Sequence, residues 1–168
     1  IRFREKLFPY LSTMGIRAHR TGLSLILPYY FEYPEDERSY SKENGYLFGD
    51  QMLVAPVVEE GVNKITKKSI FLPGGKNNDN HHKNNANHVE KWVDFYTYQE
   101  YDGGTYIENK GYTLSEIPVF VKAGGIIPLS PLEYFADKPP KRSETSLEFH
   151  VYPGKEGKFR VEHDAEDN

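Results

Sequence analysis

The feature that most constrains the fold is a series of short runs, rich in Val, Ile, Phe and Tyr, that begins after residue 50. The runs are QMLVAPVV, KSIFLP, WVDFYTY, IPVFVKAGGIIPL, SLEFHVYP and KFRVEH. Gly, Pro and polar turns separate them. Short β-type runs with frequent turn signals are typical of antiparallel sandwiches and barrels. This part of the sequence therefore predicts an antiparallel β-sandwich.

The first 20 residues show a helical pattern instead. Apolar residues recur every three or four positions, which predicts one apolar face of a helix. These positions are Phe3, Leu7, Leu11, Met14 and Ala18. We expect Pro9 to kink this helix or break its first turn, because proline lacks a backbone donor. Gly22 is expected to end the helix.

Residues 23–34, LSLILPYYFEYP, are almost wholly apolar and aromatic. Because apolar and polar residues do not alternate, the run predicts a strand that is buried on both faces, as parallel strands are. A short helix is expected to follow, from Ser41 to about Phe48, with Gly49 at its end. Helix, buried strand and short helix form an α/β pattern, so the change near Asp50 predicts a domain boundary.

Composition excludes several classes of protein. The chain has 168 residues and a net charge of −4, which indicates no surface for nucleic acid or an anionic membrane. Cysteine is absent, so disulfides and thiolate metal sites are excluded. No apolar run approaches the roughly 18 residues of a membrane span. We expect no cofactor, and the compartment is left open.

Two further features concern the extent and order of the chain. It starts at Ile1-Arg2-Phe3, inside a predicted helix and without an initiator Met, so we expect a fragment of a longer protein. Residues 76–91, KNNDNHHKNNANHVEK, are polar and of low complexity. Such a segment buries too little apolar surface to order itself, which predicts a disordered insertion between strands.

Six motifs carry a resemblance to a known family when they are taken in order. They are LFPYLSTMGIRAHRTG (7–22), PYYFEYPED (28–36), YLFGDQMLVAPVVEEG (46–61), IFLPGG (70–75), WVDFYT (92–97) and IPVFVKAGGIIPL (117–129). This ordered set resembles the C-terminal part of family 31 glycoside hydrolases, which include α-glucosidases and α-xylosidases. One departure is Leu27-Pro28, which stands where the family often has Arg-Pro.

The resemblance implies an α+β fragment, in which the end of a (β/α)8 TIM barrel is followed by an antiparallel β-sandwich. Residues 1–50 would be the C-terminal end of the catalytic barrel, and residues 51–168 the proximal C-terminal sandwich. The implied partners are the remainder of the barrel and an α-linked oligosaccharide substrate, bound by the parent enzyme. The region itself is expected to be mainly structural.

The resemblance also implies the mechanism of the parent enzyme. Family members are mostly retaining hydrolases that use two Asp residues, and retention requires carboxyl groups about 5–5.5 Å apart. In the family both residues lie upstream of the region seen here, so no position in this sequence is assigned a catalytic role. The parent is expected to remove terminal α-linked glucose or xylose, and the chain alone is expected to be inactive.

Weak candidates for substrate contact remain. Glu32, with Glu35 and Asp36 beside it, lies near the expected end of the buried strand, where a positioning role competes with a simple strand end. Trp92 offers a sugar-stacking ring, although a strand aromatic beside a turn carboxylate such as Asp94 is usually structural. Asp50 is interpreted as an acceptor in a turn.

Histidines form the one metal-like grouping in the sequence, at His81, His82 and His88. A flexible Asn-rich loop does not hold ligands at fixed distances, so no metal site is expected there. His150 and His163 are interpreted as surface or core histidines, and His19 as a helix-end residue. Gly124-Gly125 is followed at once by β-branched residues, so a strand turn is expected and not a phosphate loop.

Two alternative functions stay open at this point. In the first, the chain is a stand-alone β-sandwich module that binds carbohydrate, although residues 1–50 would then have no role. In the second, it is a stand-alone structural protein of mixed α/β fold. That alternative requires the apolar run at residues 23–33 to be covered by the chain itself.

Overall fold

The computed structural model describes residues 2–41, 45–74, 89–131, 146–154 and 156–162. Within these ranges the chain is mostly β-strand with few helices, which fits a β-sandwich domain. The chain divides into two compact units. One is Ile26–Ala123, and the other combines Ile1–Leu25 with Gly124–Asn168.

Strands are numbered β1 to β10 in chain order within the described ranges. They are Ile26–Leu27, Tyr46–Phe48, Met52–Val54, Ile65–Leu72, Lys91–Asp94, Glu100–Asp102, Thr105–Thr113, Val119–Lys122, Ile126–Leu129 and Glu148–Val151. The helices are α1 (Arg2–Lys6), α2 (Phe8–Thr21), α3 (Tyr29–Glu32) and a 3-10 turn at Glu37–Tyr40.

A six-stranded antiparallel sheet forms the larger part of the unit Ile26–Ala123, in the order β1-β2-β3-β8-β5-β6. Its register places Leu27, Leu47, Leu53 and Phe120 side by side across four strands. Because side chains alternate between the faces of a sheet, such a row lies on one face. Leu47, Leu53 and Phe120 are buried, and this face forms one wall of the core.

A second sheet pairs β4 with β7 and supplies the opposite wall. Ile70, Phe71 and Leu72 of β4 belong to the same buried cluster as Leu53 and Trp92. The pairing register shifts between Lys68 and Ile70, so β7 carries a bulge. Two sheets joined by one apolar layer are the arrangement expected of a sandwich.

The bulge is held by a side chain. Asn109 has a φ of 47°, and its N–H donates to Ser69 Oγ at 3.1 Å. Ser69 in turn donates to Glu108 Oε2 at 2.9 Å. Asparagine tolerates this left-handed conformation better than most residues, so the bulge is compatible with its sequence.

The second unit is built on α2 and the β9-β10 pair. The helix buries Tyr10, Thr13, Met14 and Ile16, and the Tyr10 ring stacks on Phe159 with centroids 5.6 Å apart. Full burial of a side chain such as Met14 stabilises by about 1.5–3 kcal/mol. On the polar side, Arg17 and Arg20 both pair with Glu162, which fastens the segment around residue 160 to the helix.

The predicted N-terminal helix is confirmed, including its break and its end. A turn at Leu7 separates α1 from α2, Pro9 lies in the first turn of α2, and the helix ends at Gly22 with a φ of 74°. The Gly22 N–H donates to Ala18 O at 2.8 Å, as expected of a left-handed glycine cap.

The long buried strand predicted at residues 23–33 is wrong. Only Ile26–Leu27 is a strand, it pairs antiparallel with β2, and Tyr29–Glu32 turns into a helix after Pro28. Ile26 and Phe31 are about half exposed, at 50% and 52%. Apolar composition alone did not determine strand length, because a strand requires partners along its whole length.

The short helix predicted from Ser41 to Phe48 is also wrong. Tyr46–Phe48 is β2, whose Leu47 lies opposite Leu53, and the helical turn comes earlier, at Glu37–Tyr40. Residues 42–44 lie outside the described ranges. Cross-strand pairing with β3 overrode the weak helix signal, while Gly49, with a φ of 64°, makes the turn between the two strands.

Beyond Asp50 most predicted strands are present, with some differences. The run KFRVEH forms no strand over the described residues 156–162, and β6 and β7 occupy segments that were not predicted. Most of the predicted insertion at 76–91 lies outside the described residues, whereas Val89 and Glu90 are placed and Lys91 begins β5. Gly124, with a φ of 84°, lies in the expected turn.

The boundary predicted near residue 50 does not interrupt the sheet of this chain. Strand β2 precedes that position and β3 follows it, and the two are paired from Tyr46↔Val54 to Phe48↔Met52. The division of the whole protein at that point stays a prediction.

We expect Lys64→Gly, in the turn before β4, to raise the stability of the protein. Asn63 and Lys64 have φ of 53° and 67°, and the Ile65 N–H donates to Val62 O, as in a type I′ turn. Lysine is strained there and glycine is not, so the free energy of unfolding should rise by about 0.5 kcal/mol or more. Urea unfolding checks this. Asn63→Gly is the matched control and should gain less, because asparagine already tolerates the conformation.

Candidate functional site

A charged cluster gathers around Lys122, the last residue of β8. Its Nζ forms an ion pair with Glu32 at the end of α3, and lies 3.8 Å from Glu90 Oε1. The same Nζ lies 5.9 Å from the centroid of the Tyr33 ring. We call these four residues, Glu32, Tyr33, Glu90 and Lys122, the Lys122 cluster. The Lys122 side chain is only 19% exposed, so its charge is largely removed from water. The two carboxylate partners compensate for this loss of hydration.

Tyr33 and Glu90 form the second link of the Lys122 cluster. The Tyr33 hydroxyl donates to Glu90 Oε2 at 2.5 Å. Burial, followed by the negative charges of Glu90 and Glu32, raises the pKa of the Tyr33 hydroxyl far above its usual value. The hydroxyl therefore stays protonated and acts as a permanent donor to the carboxylate.

Tightly packed backbone positions the Glu90 side chain. The Glu90 N–H donates to Gly74 O at 3.0 Å, and its own carbonyl accepts from Gly103 N at 2.6 Å. A Cβ on Gly103 would lie 2.6–2.8 Å from the carbonyl oxygens of Pro73, Glu90 and Gly74. No side chain fits there, so Gly103 permits the strand ends to approach each other.

The Lys122 cluster can orient loops, but it does not have the form of a glycosidase catalytic pair. Retaining hydrolysis needs two carboxyl groups on opposite sides of a reacting carbon, one of them protonated. Here the carboxylates of Glu32 and Glu90 both lie against one ammonium group. The expectation that this chain contributes no catalytic residue is kept as a prediction.

Trp92 lies in the core and not on a surface. Its side chain has 0% exposure, and Nε1 donates to Pro73 O at 2.8 Å. A ring without an exposed face cannot stack on a sugar in this conformation. Of the two weak candidates for substrate contact, Glu32 alone lies in an exposed polar position.

The remaining carboxylates take structural positions. Asp36 is buried, and its carboxylate accepts from Arg38 Nε at 2.9 Å and forms an ion pair with the same guanidinium. Arg38 also donates to Gly104 O at 2.8 Å, and its Cζ lies 4.7 Å from the centroid of the Phe71 ring. These contacts of Arg38 were not predicted, and the nearest signal in the sequence is the spacing of Asp36 and Arg38. Glu35 is exposed.

Asp94 and Asp50 both lie at turns, as the sequence suggested. Asp94 Oδ1 accepts from the N–H groups of Tyr96 and Thr97 at 2.9 and 3.0 Å. Asp50 is exposed in the turn between β2 and β3.

Histidines provide no metal centre among the described residues. His150 Nε2 lies 3.0 Å from Glu148 Oε1, and His19 is exposed in the last turn of α2. His81, His82, His88 and His163 lie outside the described ranges. Within the part that the structure describes, no helix has the length and apolar character needed to cross a membrane.

Comparison with a family model decides what this arrangement belongs to. Residues 22–127 match the glycosyl hydrolase family 31 C-terminal domain, a range that includes the whole six-stranded sheet. The chain belongs to glycosyl hydrolase family 31. The resemblance recognised in the ordered motifs is thereby confirmed. That this is a mostly β C-terminal domain of a family 31 protein is also shown.

Individual relatives agree with this assignment. The α-xylosidase of Saccharolobus solfataricus is 29% identical over 166 residues, which cover 96% of this chain and 19% of that protein. The isomaltosyltransferase of Sporosarcina globispora is 33% identical over 89% of this chain and 12% of its own length. The chain thus spans less than a fifth of the length of either relative.

Solved structures give the same picture. A family 31 dextranase of Flavobacterium johnsoniae in complex with isomaltotriose has a TM-score of 0.69 at 33% identity, covering 92% of this chain and 16% of that one. The family 31 α-xylosidase of Xanthomonas citri has a TM-score of 0.74 at 28% identity, and the match covers 95% of this chain and 15% of that one.

We expect Tyr33→Phe to lower the free energy of unfolding by about 1–3 kcal/mol near neutral pH. The change removes the hydroxyl that donates to the Glu90 carboxylate, and hydrogen bonds to charged groups contribute on this scale. Tyr40→Phe is the matched control, because it removes an exposed hydroxyl that donates to Pro34 O at 3.1 Å. The control should change stability by less than about 0.5 kcal/mol.

Tyr33→Phe should also change how the free energy of unfolding depends on pH above pH 10. Because the folded-state pKa of Tyr33 is raised above the ordinary value of 10.0, the hydroxyl makes its full contribution to the free energy of unfolding below pH 10. This contribution is lost as the pH rises further, since the unfolded state then releases the proton more readily. The stability difference between wild type and Tyr33→Phe should narrow above pH 10. A constant difference from pH 7 to 11.5 in urea titrations would contradict the proposed environment of Tyr33.

Proposed function

We propose that this chain is the C-terminal region of a retaining α-glycosidase that removes terminal α-linked glucose or xylose from oligosaccharides. The match of residues 22–127 to the family 31 C-terminal domain is the observation that carries the proposal. Relatives named α-xylosidase, α-glucosidase 2 and neutral α-glucosidase AB support this substrate class. Each aligns with the chain over a small part of its own length.

Within that enzyme we assign the chain a structural role. Residues 1–50 would complete the (β/α)8 barrel, and residues 51–168 would form the proximal sandwich that braces it. Strand β1 is an edge strand of only two residues, and edge strands are usually protected from further pairing. The remainder of the barrel would protect this edge by covering it.

Exposed apolar side chains near β1 support such a partner. Ile26 and Phe31 are 50% and 52% exposed, and the Tyr30 and Tyr40 rings stack with centroids 5.1 Å apart. Large contiguous apolar surface on a soluble protein usually marks an interaction site. The Lys122 cluster fixes the end of α3, the helix that carries Tyr30 and Phe31. Glu32 would then act as a positioning residue and not as a catalyst.

The alternative of a stand-alone carbohydrate-binding module is less well supported. The family model that matches residues 22–127 describes the C-terminal domain of glycosyl hydrolases, not a separate binding module. Trp92, the ring on which that alternative depended, is buried.

We expect the 168-residue chain to show no turnover of 4-nitrophenyl α-glucoside or α-xyloside, whereas the full-length protein hydrolyses at least one of them. The physical reason is that neither carboxylate of the catalytic pair is assigned to this chain. The release of 4-nitrophenol, followed by absorbance, measures both proteins at equal molar concentration.

Product stereochemistry sharpens that test. A retaining mechanism releases the α-anomer first, which NMR detects before mutarotation. Turnover by the 168-residue chain alone would overturn the structural role, and an initial β-anomer from the full-length protein would overturn retention.

A further inference from the structure

The turn between β5 and β6 presents two aromatic rings to solvent. Tyr96 is 57% exposed and Tyr98 is 49% exposed, although the turn directly follows the buried residues Asp94 and Phe95. The turn residues from Tyr96 to Gln99 are all exposed. The aromatic side chains are therefore held at the surface by a segment that begins in the core.

The backbone of this turn is fixed by Asp94. Its Oδ1 accepts from Tyr96 N and Thr97 N at 2.9 and 3.0 Å, and its carbonyl accepts from Tyr98 N at 3.0 Å. The Asp94 N–H donates to Gln99 O at 2.9 Å and so closes the turn. Four hydrogen bonds to one residue pre-organise the backbone that carries both rings, which lowers the entropic cost of binding.

Tyr98 holds an unfavourable backbone conformation. Its φ is 59°, in the left-handed region that glycine adopts freely and that costs a residue with a Cβ about 1–2 kcal/mol. The Tyr98 side chain is nevertheless half exposed. Strain of this kind is concentrated at binding and catalytic sites, where the side chain is required for another reason.

The chemistry of the turn indicates a neutral, hydroxyl-rich ligand. Tyr96, Thr97, Tyr98 and Gln99 offer rings, hydroxyls and a carboxamide, and none carries a charge near neutral pH. The Asp94 carboxylate is directed to backbone N–H groups, and Lys110 Nζ lies 3.8 Å from its other oxygen. The C–H groups on one face of a pyranose are attracted to the negative face of an aromatic ring. Tyrosine adds contact area at low entropic cost.

We propose that Tyr96 and Tyr98 form a surface site that binds a pyranose unit of an α-linked glucan. The choice of an α-glucan rests on the proposed function, whereas the preference for a neutral sugar rests on the turn itself. The site would hold a polymeric or oligomeric substrate against the sandwich domain. In this region the aromatic sugar contact would therefore be Tyr96 and Tyr98, and not the buried Trp92.

The variant Tyr98→Gly separates a binding role from a structural one. Glycine relieves the left-handed strain and removes the ring, so the protein should be at least as stable as wild type while it loses affinity for glucan. Tyr96→Ala should also lose affinity. Lys64→Gly is the matched control, because it places glycine at another left-handed turn position and removes no ring.

The probe is retardation of the full-length protein in native gels that contain dextran or glycogen, with thermal unfolding measured in parallel. We expect retardation of wild type and of Lys64→Gly. The apparent Kd should rise about fivefold or more for Tyr98→Gly and Tyr96→Ala, the loss typical of an aromatic contact residue. KM for glucan should rise with it, while KM for an aryl α-glycoside stays unchanged.

Three outcomes would overturn the proposal. Wild type that migrates equally with and without glucan excludes the site. Tyr98→Gly that is less stable or fails to fold shows that the ring serves packing. Tyr98→Gly that is stable and still retarded shows that the ring is not used. Glucan binding that depends on Tyr98 in a protein without glycosidase activity would instead refute the proposed function and leave this site intact.

Discussion

The buried indole of Trp92 is the interaction on which the rest of the larger unit depends. It lies on β5, in the layer between the two sheets, and donates its N–H to Pro73 O directly after β4. One side chain therefore fills the core and also ties the six-stranded sheet to the second sheet. Removing such a ring costs about 3–5 kcal/mol, and it would also leave the Pro73 carbonyl without this donor.

The Trp92 contact also supports the geometry of the Lys122 cluster. Pro73 and Gly74 run beside Glu90 and Gly103, with the Glu90 N–H on Gly74 O at 3.0 Å. The Trp92 contact with Pro73 O adds to the backbone hydrogen bonds that hold these strand ends together, and it thereby helps to keep Glu90 within reach of Tyr33 and Lys122. Charge placement at the surface is in this sense a consequence of apolar packing below it.

Local periodicity was sufficient for the elements whose burial is set within one segment. The stripe that contains Leu7 and Met14 predicted a helix because its period is an internal property of the chain. The Lys122 cluster has no such signature, since Glu32 and Lys122 are 90 positions apart. Tyr33 and Glu90 are 57 apart. Charged residues at these separations look like ordinary surface residues until the sheet register brings them together.

The two failed secondary-structure predictions share one physical cause. At residues 23–33 and 41–48 the sequence supplied hydrophobicity or a helix signal, and tertiary pairing decided the outcome. The apolar run at 23–33 is informative because burial was predicted and is incomplete in the structure. Hydrophobic side chains such as Ile26 and Phe31 have a driving force to leave water wherever a partner surface exists. Both lie at β1 and α3, beside the edge of the six-stranded sheet, where no further strand of that sheet is paired within the described residues.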